Sequence, residues 1–297
     1  MAYLFAFFTV LIWSGNAIVS KLAATSIEPS AMSFYRWFVA ILVMTPFCLR
    51  KVNTYRSVIR HNINKIAFLA LLGMVLNQSL GYFAALTTTA SNMALTSSLV
   101  PLLSVFLSVP LLGKRISALS IIGGLISLFG LAYMLGQGNV LFFIHQSVTE
   151  GDILMVFAAI TYAAYCVLLK RWKLPLPNSV FIYMQGFCAL VMLTPMLFSS
   201  EQTLPTVASV PLIAYAGLFA SIVAPLMWVR AIDMIGADSS AMFMNLLPVI
   251  TLILASYFLN EHITRFHITG GMLVIGGVIM SQIKLSRLSP RPPAPVA

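Results

Sequence analysis

Charge is what this sequence has least of. Only 8% of its 297 residues are Asp, Glu, Lys or Arg, against 60% hydrophobic residues and a mean hydropathy of +0.97. A soluble domain carries roughly 25% charged residues. A chain this poor in charge cannot clothe itself in polar surface, so water is excluded as its solvent and lipid takes that place. Cysteine is scarce as well. Cys48, Cys166 and Cys188 fall inside apolar runs with no paired or metal-ligand spacing, which makes them small apolar fillers. There are 7 acidic residues, and none lies deep in an apolar run. Asp152 and Asp238 fall at helix starts, where N-capping accounts for them. A proton relay centred on a carboxylate is therefore not visible. A glycine-rich nucleotide loop is also missing, which excludes direct drive by ATP hydrolysis. His61, His145, His262 and His267 sit in connections or near helix ends without a buried carboxylate beside them. That argues against a polytopic membrane enzyme. No metal and no cofactor are expected.

What the chain does have is ten long apolar stretches. They cover 2–24, 29–49, 65–86, 91–112, 117–136, 152–170, 178–198, 208–230, 238–259 and 265–285. A bilayer-spanning helix needs about 20 such residues. The runs are continuous rather than alternating, which selects helices over a barrel. The first run has no basic segment before Tyr3 and is too long for a signal peptide, so it is expected to stay as the first span. The longest connections are 50–64 and 137–151.

The net charge of +10 is unevenly placed. If the chain crosses ten times, one side receives 14 of the 17 basic residues: Arg50, Lys51, Arg56, Arg60, Lys65, Lys114, Arg115, Lys170, Arg171, Lys173, Arg230, Lys284, Arg287 and Arg291. The other side keeps Glu28, Glu150, Asp152, Glu201 and Glu261. This bias predicts a cytoplasmic basic side and cytoplasmic termini. The basic loops then serve topology and contact anionic membrane lipids. Nucleic acid is not an expected partner.

The chain also repeats itself. A shift of 147 aligns Ala84 with Ala231, Pro101 with Pro248, Gly123-Gly124 with Gly270-Gly271 and Gly130 with Gly277. A shift of 149 aligns Trp13 with Tyr162, Lys21 with Lys170 and Thr45-Pro46 with Thr194-Pro195. Each half therefore holds five spans. Five is odd, so the second half enters the membrane upside down. The predicted fold is an all-α membrane protein of ten transmembrane helices in two inverted five-helix repeats, residues 1–136 and 152–285. A connecting loop 137–151 joins them, and a Pro-rich tail 286–297 follows. Inverted repeats are a recurrent transporter architecture, with the solute held near the midplane.

Several short motifs then carry a family resemblance. They are Trp13-Ser14-Gly15-Asn16 with Lys21, Tyr35-Arg36-Trp37, Ala84-Ala85-Leu86 and Leu99-Val100-Pro101 in the first half. In the second half they are Asn245-Leu246-Leu247-Pro248-Val249, Asn260-Glu261-His262-Ile263-Thr264 and Gly270-Gly271. With the repeat, the chain resembles a drug/metabolite transporter of the EamA type over about residues 3 to 285. The resemblance implies export or exchange of a small solute, with amino acids and related metabolites the common cargo. It also implies a bacterial inner membrane and a cavity among helices 1–4 and 6–9, flanked by helices 5 and 10. Such relatives usually carry a Glu after helix 4, as Glu261 follows helix 9. Here Lys114 stands at that position.

Polar residues inside spans are the candidate site, because they are costly in hydrocarbon unless paired or facing a cavity. Trp13 and Asn16 share a face of helix 1, and either solute binding or helix packing fits Asn16. Asn77, Gln78 and Tyr82 in helix 3 place two amides and a phenol at depth. Tyr162 and Tyr165 in helix 6 match the Trp13 region through the repeat. Ser97 and Ser98 precede Pro101, and Asn245 precedes Pro248, where a missing backbone donor frees a carbonyl and allows a hinge. Gln185 matches Arg36 through the repeat, and Trp228 suits a cavity wall or an interfacial anchor. Arg36 suits a structural pairing with Glu28 or Glu261, or the carboxylate of a substrate. Pro101, Pro248 and Glu261 complete the structural and gating candidates. Monomer and homodimer both remain compatible with the sequence.

Overall fold

The structure is a computed structural model that describes residues 2–113, 118–138, 148–201, 203–235 and 243–282. Among these residues the fold is all-helical. Ten helices follow in chain order: α1 (Tyr3–Ala23), α2 (Pro29–Thr54), α3 (Arg56–Ala84), α4 (Ala90–Leu112), α5 (Ala118–Leu135), α6 (Glu150–Trp172), α7 (Asn178–Phe198), α8 (Val210–Ile235), α9 (Leu247–Phe258) and α10 (Arg265–Gln282). The first eight are each long and apolar enough to cross a bilayer, and the chain is an integral membrane protein. The start expected for α9 at 238, Asp238 itself, Lys114 and the apolar loop 140–144 lie outside the described residues.

One expectation changes. The connection 50–64 is almost wholly helical. Helix α2 runs on to Thr54, and α3 begins at Arg56 after a single break at Tyr55. The reason is amphipathicity. Ile59 and Ile66 are buried and pack with Val180, while Arg60 and Lys65 face outward. The helix therefore continues past the hydrocarbon edge, where its basic face meets water and headgroups.

Helix packing follows an exchange rule. Helix α1 packs on α8 and α9, and its counterpart α6 packs on α3 and α4. Helix α2 packs on α8, and its counterpart α7 packs on α3. Two counterpart pairs touch each other directly, α2 with α7 and α5 with α10. Swapping the halves leaves every one of these pairings in place.

Both counterpart pairs run antiparallel. On α5 and α10 the contacts fall from Gly277 to Gly270 as they rise from Gly123 to Met134, and Ser127 Oγ donates to Val274 O at 2.9 Å. The approach is close because glycine lines it. A Cβ on Gly130 would lie 2.6 Å from Leu273 Cβ and 2.8 Å from Gly270 O. Without water, helices associate through such close packing rather than the hydrophobic effect. On α2 and α7, Cys48 reaches Ser179, Thr45 Oγ1 lies 3.2 Å from the Tyr183 hydroxyl, and Trp37 packs on Gly186.

Two helices carry widened π turns, at Leu71–Leu76 in α3 and Tyr215–Val223 in α8. Adding 147 to 71–76 gives 218–223, so the distortion is itself repeated. The two proline breaks repeat as well. Helix α4 opens at Ser98-Leu99 before Pro101, and the chain opens at Asn245-Leu246 before Pro248.

Candidate functional site

Trp13 and Tyr162 lie near the midpoints of α1 and α6, and each belongs to a cluster built against the opposite half. Trp13 Nε1 donates to Ala220 O, 3.2 Å away, within the π turn of α8. Its ring lies 5.7 Å from that of Trp228. On the counterpart side, Tyr162 stacks on Tyr165 at 5.5 Å, and Tyr165 lies over Gly73 in the π turn of α3. A Cβ on Gly73 would come within 2.7 Å of that ring. The pattern has a backbone cause. A π turn holds one residue more per turn than an α-helix and re-aims its carbonyls and side chains, and such turns gather at functional sites. All four rings are half-buried.

Amides stand beside the rings. Trp37 Nε1 donates to Gln78 Oε1 at 2.9 Å, and Asn77 Nδ2 donates to Ala158 O at 2.9 Å, tying α3 to α6. Gln185 is wholly buried beside Tyr165, yet neither its Oε1 nor its Nε2 makes a hydrogen bond of ordinary geometry. Asn16 Oδ1 is likewise buried and unpartnered. Asn245 is half-buried at the break before Pro248. Pro101 and Pro248 release the carbonyls of Ser97 and Met244, four residues back. The hydroxyls of Ser97 and Ser98 turn inward on their own helix, donating to Met93 O at 2.8 Å and to Leu95 O at 2.6 Å.

Arg36 does not join Glu261. Its guanidinium is buried, with Nε donating to Ser221 Oγ at 2.7 Å and Nη1 to the Tyr82 hydroxyl at 3.0 Å. Ser221 is aimed there by the π turn, because its hydroxyl donates back five residues to Ala216 O at 2.8 Å. Tyr82 is itself buried in an apolar cluster with Val19, Ala23 and Ile27.

Glu261 works at the acidic end of the bundle instead. Its carboxylate accepts from Ala90 N at 2.8 Å, Ser91 N at 3.1 Å and Ser91 Oγ at 2.6 Å, at the start of α4. A helix N-terminus offers free N–H groups and a positive dipole end, which suits a carboxylate. The other side of the same turn holds Lys21 of α1. Its Nζ donates to Ala85 O and Thr88 O, both at 2.7 Å, the free carbonyls that end α3. Buried Asp152 completes the assembly. It forms a capping box with Thr149 at the start of α6, as its position predicts, and also accepts from Thr88 Oγ1 and from Asn92 Nδ2. Residues from both halves thus lock the α3–α4 turn.

The structure groups the sequence candidates into Trp13 with Trp228, Tyr162 with Tyr165 and Gln185, and Arg36 with Tyr82, leaving Glu261 apart. Sequence reasoning gave Trp37 only as a motif residue and passed over Ser221 and Thr88. The Thr149-x-x-Asp152 spacing was readable as a cap, but nothing local announced its reach to Thr88.

The model of the EamA-like transporter family matches twice, over residues 1–136 and 149–282. The uncharacterized transporter YyaM of Bacillus subtilis is 26% identical over 269 residues, covering 88% of this chain and 87% of its own. A probable terminal-alkyne amino-acid exporter of Streptantibioticus cattleyicolor is 23% identical over 280 residues, covering 92% and 90%. A solved crystal structure aligns with a TM-score of 0.64 at 19% identity, over 95% of this chain and 96% of that one. The chain belongs to the EamA-like transporter family.

Proposed function

We infer that this transporter exports or exchanges a small metabolite, an amino acid or a related compound, by alternating access between two inverted five-helix halves, 1–136 and 152–285. The observation that carries the reading is the crossed pairing at mid-depth. The first helix of each half lays an aromatic on the π turn of the other half's third helix, Trp13 on Ala220 and Tyr165 on Gly73. A solute held between those two clusters touches both halves, so rocking one against the other moves the access path around it. The antiparallel contacts of α2 with α7 and of α5 with α10 support the inversion. Asn16 Oδ1 has no protein partner and the buried Gln185 amide has no well-formed one, which suits a polar ligand. The Streptantibioticus relative, whose name gives an amino acid as cargo, supports that class. Broad efflux of amphipathic drugs is the weaker reading, because it needs a looser and more apolar site than these amides provide. The excess of basic residues at one end supports a cytoplasmic placement of that end, with the Lys21–Glu261–Asp152 assembly facing outward in a bacterial inner membrane.

The test is flux into proteoliposomes holding the purified chain, with a panel of amino acids and nucleoside precursors, with and without a pH gradient. Saturable flux of at least one solute is expected, falling about tenfold or more in Gln78→Ala and Asn245→Ala, the loss that follows from removing one hydrogen-bonding contact worth ~1.5 kcal/mol. Full flux in both variants overturns the site. Absence of flux across the panel overturns the cargo class.

A further inference from the structure

We propose that Arg36 is an anion-recognition residue, and that the solute carried by this protein presents a carboxylate to it. The inference rests on the transport reading for the word solute, but the site stands on its own geometry.

Arg36 is a cation placed seven residues inside α2 and only 5% exposed. Arginine stays protonated under all ordinary conditions, so burial cannot be relieved by neutralising it. A charge held there without a counter-ion is costly, and intramembrane charges are as a rule paired. The partners that Arg36 has are both neutral hydroxyls, Ser221 Oγ and the Tyr82 phenol. They use Nε and Nη1. Among the described residues Nη2 has no hydrogen-bond partner. Donor capacity and positive charge are therefore both left over at Nη2.

The carboxylates that could have neutralised it are engaged elsewhere or point outward. Among the described residues Glu261 caps α4, Asp152 caps α6 and holds Thr88, half-buried Glu28 at the start of α2 has an interaction of its own, and Glu150, Glu201 and Asp233 are exposed. The surroundings favour a small polar guest over another helix. Ser79 lies three residues before Tyr82 on the same face of α3, and its Oγ is buried without a partner. Trp37, next to Arg36, bonds Gln78, and Ser221 follows directly on Ala220, which accepts from Trp13. Arg36 thus borders the aromatic and amide cluster. The guanidinium stays planar and charged while Ser221 and Tyr82 fix its orientation, so Nη2 is held ready to donate to a carboxylate oxygen, which the flexible ammonium of a Lys would not reproduce. Counterpart Gln185 is uncharged, so the anion has one preferred end and the solute a defined orientation.

The experiment uses the full chain in lipid nanodiscs. Benzoate and acetate are titrated at fixed ionic strength against benzamide and acetamide, reading the thermal midpoint and the tryptophan emission of the neighbouring indoles. Benzoate is expected to raise the midpoint saturably while benzamide does not. Arg36→Gln should abolish the difference, and Arg36→Lys should weaken benzoate binding about tenfold. Equal protection by acid and amide, no response to either acid, or an unchanged benzoate response in Arg36→Gln each overturns the proposal. If Arg36→Gln does not fold, Ser221→Ala decides. It leaves the cation and frees its Nε, so benzoate protection should persist or grow, and its loss would return Arg36 to a packing role. Flux is read separately. Benzoate binding without flux of any solute refutes transport of the proposed class and leaves the anion site. Solute flux that is indifferent to both Arg36 and the carboxylate leaves transport and refutes the site.

Discussion

Gln185 poses the sharpest question at the scale of single residues. A buried amide with neither atom well bonded costs about 1–3 kcal/mol relative to a satisfied one. Replacing it by an apolar residue of similar size removes that cost, so Gln185→Leu is expected to raise the thermal midpoint of the purified protein while reducing solute flux at least tenfold. A fall in stability with flux preserved would mean that the amide is an ordinary packing group. Gln185 was legible in the sequence as a polar residue inside an apolar run, and so were Asn16, Gln78 and Asn245. Their partners were not. The bond from Trp37 to Gln78 spans 41 residues and the one from Arg36 to Ser221 spans 185. Periodicity within one helix carries no information at that range. The structural pairing of Arg36 with Glu261 failed for this reason, since Glu261 caps α4 and two hydroxyls on α3 and α8 hold Arg36.

At the scale of elements, proline was readable and the π turn was not. Pro101 and Pro248 announce missing backbone donors wherever they occur, and both breaks fall where the rule puts them, just upstream. The π turns of α3 and α8 contain no proline, and their sequences Leu71–Leu76 and Tyr215–Val223 read as unbroken helix. They arise from packing, where Gly73 admits the Tyr165 ring and Ser221 turns toward Arg36. The boundary of α3 escaped for a different reason, because the hydropathy that marks a span fades at the headgroups although the helix does not. Two outcomes follow for the elements. Pro248→Ala restores an N–H for the Met244 carbonyl and should straighten the chain there, raising stability by about 1 kcal/mol while slowing flux several-fold. Unchanged flux in that variant would show that the break serves packing alone. Gly130→Leu drives a side chain into Leu273 and the Gly270 carbonyl, and should destabilise the α5–α10 pair by roughly 1–3 kcal/mol in thermal or denaturant unfolding.

For the molecule as a whole, the question is which side is shut. At the acidic end the two halves are tied through one turn, with Lys21 on its leading carbonyls, Glu261 on its following N–H groups and Asp152 on its Thr88 hydroxyl. The lock draws on α1, α6 and the segment between α9 and α10, so it cannot persist if the halves part at this end. Its strength lies in charge. Hydrogen bonds to ionised groups contribute about 1.5–3 kcal/mol each, against roughly 1 for neutral ones. Removing the Glu261 carboxylate therefore shifts the balance toward an opening at the acidic end by about 1.4–2.8 kcal/mol, a factor of ten to a hundred in population. The readout is a single cysteine placed at Asn245, in a background with Cys48, Cys166 and Cys188 replaced, labelled by a membrane-impermeant maleimide added to either face of oriented vesicles. Glu261→Ala should speed labelling from the acidic face at least tenfold and slow it from the basic face. Glu261→Gln keeps the shape and part of the bonding, so it should fall between Ala and the parent. Lys21→Met acts on the other side of the same turn and should move the labelling in the same direction as Glu261→Ala. Labelling that responds to neither substitution would mean that the turn is held by packing, and that the closure of this end lies with the apolar contacts around Ala84 and Met93.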